Sequence, residues 1–402
     1  MEKQKKMDTV VRYSPLDVPA IAWAHWRGGK EAWNLKAEPS TVKSDFTKQV
    51  SQDIAVSEKQ FGKTEPRVWI EWNKASIEGK SDVVQNPGKY FVFADIRASE
   101  TDIGELRLQD MRAAENYITF KYNILFVALS RPESMGILFF DEMNLAPNMI
   151  KAQFYKIIND KAVGDIPLSD DVMCVSAGNE AEHSRGVTED PVPLVLRRAN
   201  YFLRPLTAEE YTDYAVKTSH HHFVVGYLGF QPNDTHKLEY DLPEGVGQPC
   251  PRTWTKLSHV LKGNPDMSQA EIERTATGYV GQGVATKFAA YVKSARGIDL
   301  NAILAKPELI KKYENDQDLS LVYAIISGIV EKFRTDKKVI KPAFEIANIV
   351  ERPEFGAYLL RQLKNVDEKG FMKTGGNDKL LDEKLVNEVV KRYAKFLFKN
   401  AV

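Results

Sequence analysis

The 402-residue sequence predicts an α/β domain built on a parallel sheet, followed by helices that continue towards the C-terminus. Short apolar runs alternate with helix-like stretches as far as about residue 205, which is the pattern of successive βαβ units. Beyond that residue the strand signals fade and amphipathic helical periodicity replaces them. Two of the apolar runs end in polar side chains, so they also mark a candidate functional edge of the sheet.

The predicted strands are short, apolar and followed by turn or polar residues, which suits strands covered by helices on both faces. They lie at 32–36, 90–96, 136–140, 172–176 and 200–203. Gly164 and Pro167 punctuate residues 160–171 and predict a small hairpin between the third and fourth strands. The dense charge over 58–80 predicts an exposed inserted loop.

The second half of the chain is expected to be helical. Thr207 is followed by Ala208-Glu209-Glu210, which predicts a helix start with a side-chain cap and acidic residues in the first turn. Further helices are predicted at about 253–261, 268–294, 318–334, 341–364 and 382–398, with a loop over 231–250. His220, His221 and His222 are adjacent and cannot all face one metal, so we expect surface or interface residues.

The composition is that of an ordinary globular protein, with 43% hydrophobic and 27% charged residues. The 55 basic and 55 acidic side chains balance, which disfavours a nucleic-acid binder. No apolar run approaches the roughly 20 residues that cross a bilayer. The charged N-terminus lacks a secretory signal and the two cysteines form no disulfide framework, so we expect a cytoplasmic protein without a membrane span.

The third predicted strand, 136–140, ends in Asp141 and Glu142. A carboxylate at the carboxyl end of a buried strand can hold Mg²⁺ through water, and the acid beside it can polarise an attacking water molecule. The alternative is a core strand that meets a helix with two capping acids.

The next predicted strand ends in Ser176-Ala-Gly-Asn179. An amide at the tip of the neighbouring strand could contact the γ-phosphate of a nucleotide or the attacking water. Asn179 alone would more often be a turn residue, but its position after an Asp-Glu strand favours the functional interpretation.

Two Gly/Lys-type segments compete as the phosphate-binding loop. Gly29-Lys30 fails because Glu31 stands where a Mg²⁺-binding hydroxyl belongs and would repel phosphate. Residues 37–44 lie between the first strand and a helix predicted over 45–54, which is the required context. Lys43 would reach the β and γ phosphates of ATP, and Ser44 would bind Mg²⁺ together with Asp141. The residues expected to surround the nucleotide are Ala37, Pro39, Ser40, Thr41, Val42, Lys43, Ser44 and Asp141.

This loop departs from the G-x-x-x-x-G-K-[ST] pattern at both glycines, which are replaced by Ala37 and Val42. Val42 places a β-branched side chain where the backbone must approach phosphate closely, so nucleotide binding is expected to be weakened or lost. The alternative interpretation is a helix capped by Ser40 or Thr41 with an incidental lysine.

Taken together, these elements resemble a MoxR-type AAA+ ATPase of the dynein-related subfamily with a degenerate Walker A loop, over about residues 32–288. In that resemblance Glu142 orients the attacking water and Asn179 is sensor 1. Residues 193–200 resemble the segment with the arginine finger, which implies Arg197, with Arg198 as the alternate, contacting a neighbour's nucleotide. A pair of basic residues at a strand start is the alternative.

Residues 250–254 resemble the start of the lid helix, which implies sensor 2 at Arg252; a solvated arginine is the alternative. The resemblance implies an AAA+ P-loop domain at 1–204, a helical lid at 205–300 and a C-terminal helical extension at 301–402. It places 98–108 where a loop faces the central pore.

The resemblance also implies ATP and Mg²⁺ as cofactors and a homo-oligomeric ring, with a hexamer the expected size. Its activity would be ATP hydrolysis coupled to remodelling of a protein, and its partner a von Willebrand factor A domain protein. Two other functions remain open, an assembly subunit whose nucleotide pocket Val42 has disabled and a nucleic-acid motor.

Overall fold

The computed structural model describes residues 10–39, 41, 43–57, 66–112, 117–180, 190, 192–243, 245–315, 319–368, 371 and 381–397. The chain divides into two compact units, Met1–Pro205 and Leu206–Val402. Among the helices described, none is both long enough and apolar enough to cross a membrane.

The first unit contains a seven-stranded sheet in which all neighbouring strands are parallel. Its strands are β1 (Arg12–Tyr13), β2 (Trp33–Ala37), β3 (Val68–Glu71), β4 (Tyr90–Arg97), β7 (Met135–Asp141), β10 (Val172–Asn179) and β11 (Ala199–Leu203). Their order is β1-β11-β2-β10-β7-β4-β3. Two hairpins stand outside this sheet, β5 (Arg107–Arg112) with β6 (Tyr117–Tyr122), and β8 (Ala162–Val163) with β9 (Ile166–Pro167).

Helices connect these strands. They are α1 (Val18–Arg27), α2 (Lys43–Ser57), α3 (Ile77–Gln85), α4 (Ile103–Leu106), α5 (Ile124–Leu129), α6 (Asn148–Asp160) and α7 (Val192–Leu196). On one face of the sheet, Phe140 of β7 packs against Phe154 of α6 with ring centroids 4.9 Å apart. On the other face, α2 packs against β3, β4 and β7. Because both faces are covered, most residues of the central strands are apolar, as is usual for parallel strands.

Gly136 of β7 lies against β4 with no room for a side chain. A Cβ atom there would stand 2.2 Å from the carbonyl oxygen of Val92 in β4. Only glycine therefore allows β4 and β7 to pair at this point.

The predicted fold class, an α/β domain with a parallel sheet followed by helices, is confirmed. All five predicted strands and the hairpin at 160–171 are present, with strand ends shifted by up to three residues. The exposed loop predicted over 58–80 was wrong in its described part, which contains β3, a 3₁₀ turn at Trp72–Lys74 and the start of α3. β3 is a short edge strand of four residues, Val-Trp-Ile-Glu, and the charged residues on either side of it hid it.

The second unit is helical. Its helices are α8 (Ala208–Lys217), α9 (His222–Phe230), α10 (Pro251–Gly263), α11 (Gln269–Val280), α12 (Gln282–Arg296), α13 (Leu300–Ala305), α14 (Ile310–Glu314), α15 (Ser320–Thr335), α16 (Ile340–Ile349), α17 (Pro353–Val366) and α18 (Glu383–Leu397). Thr207 caps α8 as predicted. Gly281, with φ +78°, separates α11 from α12, where one helix was predicted.

Helices from both sides of residue 300 pack together in this unit. α15 contacts α9 and α12, and α17 contacts α8. The functional division into a lid and an extension at residue 300 stays a prediction.

The expectation that His220 is a surface or interface residue was wrong. His220 is 4% exposed, and its ring nitrogens hydrogen-bond Thr218 Oγ1 and Thr255 Oγ1, both at 2.9 Å. The turn between α8 and α9, with Ser219 at φ +59°, directs the imidazole inward. Burial lowers the pKa of His220 to about 4. It lowers the pKa of His221 to about 3 and that of His222 to about 4.

We expect the buried histidines to make unfolding easier in mild acid. Because the pKa of His220 is lower in the folded state, the unfolded chain binds more protons between about pH 6.5 and pH 4. The free energy of unfolding therefore falls as pH drops below about 6.5 and levels off near pH 4. Between about pH 7 and about pH 5.5, His220 alone should contribute about 1 kcal/mol to that loss.

Urea unfolding of the full chain and of His220→Gln at both pH values measures this effect. The difference between the two pH values should shrink in the variant. An unchanged difference would contradict the assignment.

Candidate functional site

The carboxyl ends of β2, β10, β7 and β4 lie side by side at one edge of the sheet. Asn179 at the end of β10 is in register with Ala37 at the end of β2. Asp141 at the end of β7 is in register with Arg97 of β4. The edge therefore gathers polar residues that are far apart in sequence, as carboxyl ends of strands do in open α/β sheets.

A hydrogen bond joins the two residues predicted to bind Mg²⁺. Ser44 Oγ donates to Asp141 Oδ2 at 2.8 Å, and Asp141 Oδ1 accepts the amide of Glu142 at 2.9 Å. Ser44 lies in the first turn of α2, which begins at Lys43, two residues before the predicted start.

Hydroxyl and carboxylate oxygens fit Mg²⁺, which binds few protein ligands and keeps waters and phosphates. Within the described ranges, no group of three or more His, Cys, Asp or Glu side chains could hold a metal. Ser44 and Asp141 would therefore supply only part of a coordination shell.

The loop lysine contacts the predicted sensor residue. Lys43 is buried, and its Nζ donates to Asn179 Oδ1 at 3.0 Å and to the carbonyl oxygen of Glu38 at 3.4 Å. Thr41 Oγ1 donates to the same carbonyl at 2.6 Å. Lys43, Ser44, Asp141 and Asn179 thus form one connected group in the first unit.

The rest of the loop is partly described. Ala37 is the last residue of β2 and is fully buried, and Pro39 lies in the turn that follows. Ser40 and Val42 lie outside the described residues, so the consequence predicted for Val42 stays a prediction.

Asn144 positions Asn179 and was missed by the sequence reasoning. Its Nδ2 donates to the carbonyl oxygen of Asn179, and its Oδ1 accepts the amide of Asn179 at 3.3 Å. The side chain is buried, and Lys151 Nζ donates to its backbone carbonyl at 3.0 Å. Gly178 leaves the necessary space, because a Cβ atom there would stand 2.7 Å from Asn144 Oδ1. The one signal in the sequence was an amide three residues after Asp141.

Glu142 adopts a left-handed backbone with φ +54°, which is unusual for a residue with a side chain. Ser99 Oγ donates to Glu142 Oε2 at 2.5 Å. Such strain costs about 1–3 kcal/mol and concentrates at functional sites. Ser99 was also missed, and its signal was a hydroxyl shortly after the second predicted strand.

Negative charge is concentrated at this edge. Burial, with the nearby charge of Asp141, raises the pKa of Asp95 in β4 to about 6. Desolvation and like charge act in the same direction here, so a cation at the edge would relieve both.

The two candidate fingers differ in environment. Arg197 is exposed at the end of α7. Arg198 is buried, and it donates to Asp190 Oδ2 at 2.6 Å and to Ser176 Oγ at 2.9 Å. A side chain held in this way cannot reach a neighbouring molecule without breaking a buried ion pair, so the geometry favours Arg197.

The remaining predicted residues lie apart from the group. Arg252 is exposed in the first turn of α10 in the second unit, so its role stays a prediction. Residues 98–108 form α4 and the start of the β5–β6 hairpin, and their position at a pore stays a prediction too.

No family model and no curated protein matches the chain. Among solved structures it is similar to C. elegans PCH-2, with 10% identity, a TM-score of 0.28, and coverage of 80% of this chain and 67% of that one. It is similar to the Aeropyrum pernix ORC2 protein in ADPNP–ADP complexes, with 10% identity, a TM-score of 0.31, and coverage of 96% and 85%. It is also similar to the Aeropyrum pernix ORC1 protein in complex with DNA, with 12% identity, a TM-score of 0.29, and coverage of 97% of this chain and 85% of that one. Likenesses this distant carry no functional argument, and the site geometry has to supply it.

Gly178→Ala should destabilise the chain because its methyl group would collide with Asn144. The decrease in the free energy of unfolding caused by Gly178→Ala should be about 1 kcal/mol smaller when Asn144→Ala is already present, because residues in contact couple by about that amount. Urea unfolding of both single variants and the double variant measures the coupling. Gly278→Ala is the control, because nothing lies within 4 Å of a Cβ atom there. Additive losses would show that the two side chains do not meet.

Proposed function

We propose that this chain is a MoxR-like AAA+ ATPase that binds and hydrolyses ATP. The observation that carries the proposal is the connected group at the sheet edge, where Ser44 meets Asp141 and Lys43 meets Asn179. A loop lysine, a loop hydroxyl, a strand-end carboxylate and a neighbouring amide are the groups that phosphoryl transfer requires. Their convergence from three strands is unexpected for incidental polar residues.

The loop would hold the phosphates. The contacts of Lys43 Nζ include two neutral acceptors, the Asn179 amide oxygen and the Glu38 carbonyl. A phosphate oxygen is a stronger, charged acceptor and would replace them. Asn179 would then be free to hold the γ-phosphate or the attacking water.

Ser44 and Asp141 would hold Mg²⁺. When bound, this ion would neutralise charge on the phosphates. Ser44 and Asp141 already lie together, so binding needs little rearrangement of the protein.

Glu142 would orient the attacking water and accept its proton. The hydrogen bond from Ser99 fixes the direction of the Glu142 carboxylate. The left-handed backbone places Glu142, which is half-buried, in a turn directly after the strand. These two features suit a base that must face a bound substrate.

Arg197 would act on the nucleotide of a neighbouring subunit, and Arg252 on the nucleotide of its own. Both are exposed, as contact with a ligand requires. This arrangement needs a homo-oligomeric ring, and we propose that the ring has six copies of the chain. We also propose that the protein is cytoplasmic. A von Willebrand factor A domain protein is the proposed partner.

The proposed activity is remodelling of a protein partner. The β5–β6 hairpin follows β4 and exposes Leu108, Met111 and Ile118. An exposed apolar surface of this kind suits contact with a polypeptide.

A second candidate function is an assembly subunit with an impaired nucleotide pocket. A phosphate-binding loop favours a glycine-like backbone and little negative charge. In this loop Val42 opposes the first requirement and Glu38 the second. In this case the chain would assemble without hydrolysing ATP.

Glu142→Gln should keep ATP binding and lower turnover by about two to four orders of magnitude, the usual contribution of an acid-base group. Phosphate release and isothermal titration measure the two effects. Glu133→Gln, an exposed glutamate before β7, is the matched control and should leave both unchanged. Unaltered turnover in Glu142→Gln would remove Glu142 from the mechanism.

Ser99→Ala should lower turnover by about tenfold without weakening ATP binding, because it releases Glu142 and leaves the phosphate loop intact. Steady-state phosphate release beside titration with ATP separates kcat from affinity. Thr101→Ala is a control, since its hydroxyl donates to the Arg97 carbonyl and not to Glu142. Equal loss in both variants would indicate a general effect on this segment.

A further inference from the structure

A buried polar network connects the strands of the nucleotide site to the segment that carries Arg197. Its centre is Ser176 Oγ, which accepts from Arg198 Nη1 and donates to Asn34 Oδ1, each at 2.9 Å. Ser176 is 1% exposed and Asn34 is 2% exposed. Hydrogen bonds shielded from water in this way hold a fixed geometry.

Asn200 closes the network around the turn that holds Arg197. Its Oδ1 accepts from Asn34 Nδ2 at 3.2 Å. Its Nδ2 donates to the carbonyl oxygens of Val195 and Arg198, both at 2.9 Å. Those two carbonyls lie on either side of Arg197, so the amide of Asn200 clamps the turn.

Charge fixes the same turn from its other side. The Arg198 side chain has no exposed surface, and the Asp190 side chain is 4% exposed. Lys36 Nζ lies 3.6 Å from Asp190, which adds a contact from β2. Burying charges is unfavourable unless their geometry is well matched, so this pairing restricts the segment strongly.

The anchors lie close to the nucleotide site in sequence. Ser176 stands three residues before Asn179 in β10, and Asn34 stands three residues before Ala37 in β2. Arg197 and Leu196, by contrast, are exposed, Leu196 to 79%. An exposed arginine thus extends from a turn whose neighbours are fixed to the two strands that hold the phosphates.

We propose that Asn34, Ser176, Arg198 and Asn200 form a positioning relay. Through their hydrogen bonds, the relay couples the position of Arg197 to β2 and β10, the strands that carry the nucleotide site of the same subunit. Arg198 is a positioning residue in this relay. A shift of β2 or β10 on nucleotide binding would move the turn, and with it the arginine presented to the next subunit. The proposal rests on the proposed role of Arg197 at a neighbour's nucleotide.

Mixed assemblies of the full chain test the direction of the effect. Glu142→Gln subunits bind ATP and supply Arg197 but have little turnover of their own, and Arg197→Ala subunits have a site but no finger. Mixing them should restore phosphate release that neither shows alone. Adding Ser176→Ala to the Glu142→Gln subunits should lower the restored rate by at least about tenfold, since small misplacements of a catalytic group cost that much.

The same Ser176→Ala change in the Arg197→Ala subunits should leave the restored rate within about twofold, because those subunits only receive the finger. Ser134→Ala in the supplying subunits is the matched control, a buried serine of the same unit that bonds the Ala128 carbonyl. An equal or larger loss when Ser176→Ala lies in the receiving subunits would overturn the proposal.

A spin label gives a readout that needs no activity. Cys174 and Cys250 are buried, so a label attached to Arg197→Cys should report on the turn alone. Ser176→Ala should increase the motion of that label, and Ser134→Ala should not. If uniform Arg197→Ala assemblies hydrolyse ATP at the full rate, the finger in the proposed function is wrong. If they do not, and the label is unaffected by Ser176→Ala, the relay alone is wrong.

Discussion

The hydrogen bond from Ser44 to Asp141 depends on the parallel order of the sheet. β10 lies between β2 and β7, and all three strands end at the same edge, so α2 begins directly above the end of β7. An antiparallel neighbour would carry its polar end to the opposite edge. The parallel order therefore brings together a loop, a carboxylate and an amide that are up to 136 residues apart.

Polar contacts fix the arrangement of the strand ends at this edge. Lys43 is buried against the Asn179 amide, and Asn144 pairs with the Asn179 backbone. Buried polar groups without partners are costly, so these contacts specify one arrangement of the strand ends. A site arranged before its ligand arrives loses less conformational freedom on binding.

Sequence reasoning could predict the strands and their polar ends because both follow from local patterns. The central strands are mostly apolar, and Asp141 and Asn179 stand at their carboxyl ends. The edge strands β1 and β3 are short and mixed in character, and no local pattern separates them from loops. They were therefore missed.

The supporting residues could not be predicted for a different reason. Ser99 and Asn144 act through contacts across strands, so their roles depend on register and on space left by Gly178. His220 was expected at a surface or an interface because three adjacent histidines cannot all face one metal. The turn at Ser219 instead directs His220 inward. The resemblance implies Arg197, with Arg198 as the alternate, and in the structure burial separates the two.

The central claim is that Lys43 and its neighbours form a binding site for ATP with Mg²⁺. Isothermal titration of the full chain with ATP in Mg²⁺, beside Lys43→Ala and the nearby surface variant Lys48→Ala, tests it most directly. The account predicts binding to the full chain, loss of at least about tenfold in affinity in Lys43→Ala, and little change in Lys48→Ala. Absence of binding to the full chain, or equal affinity in all three proteins, would contradict it.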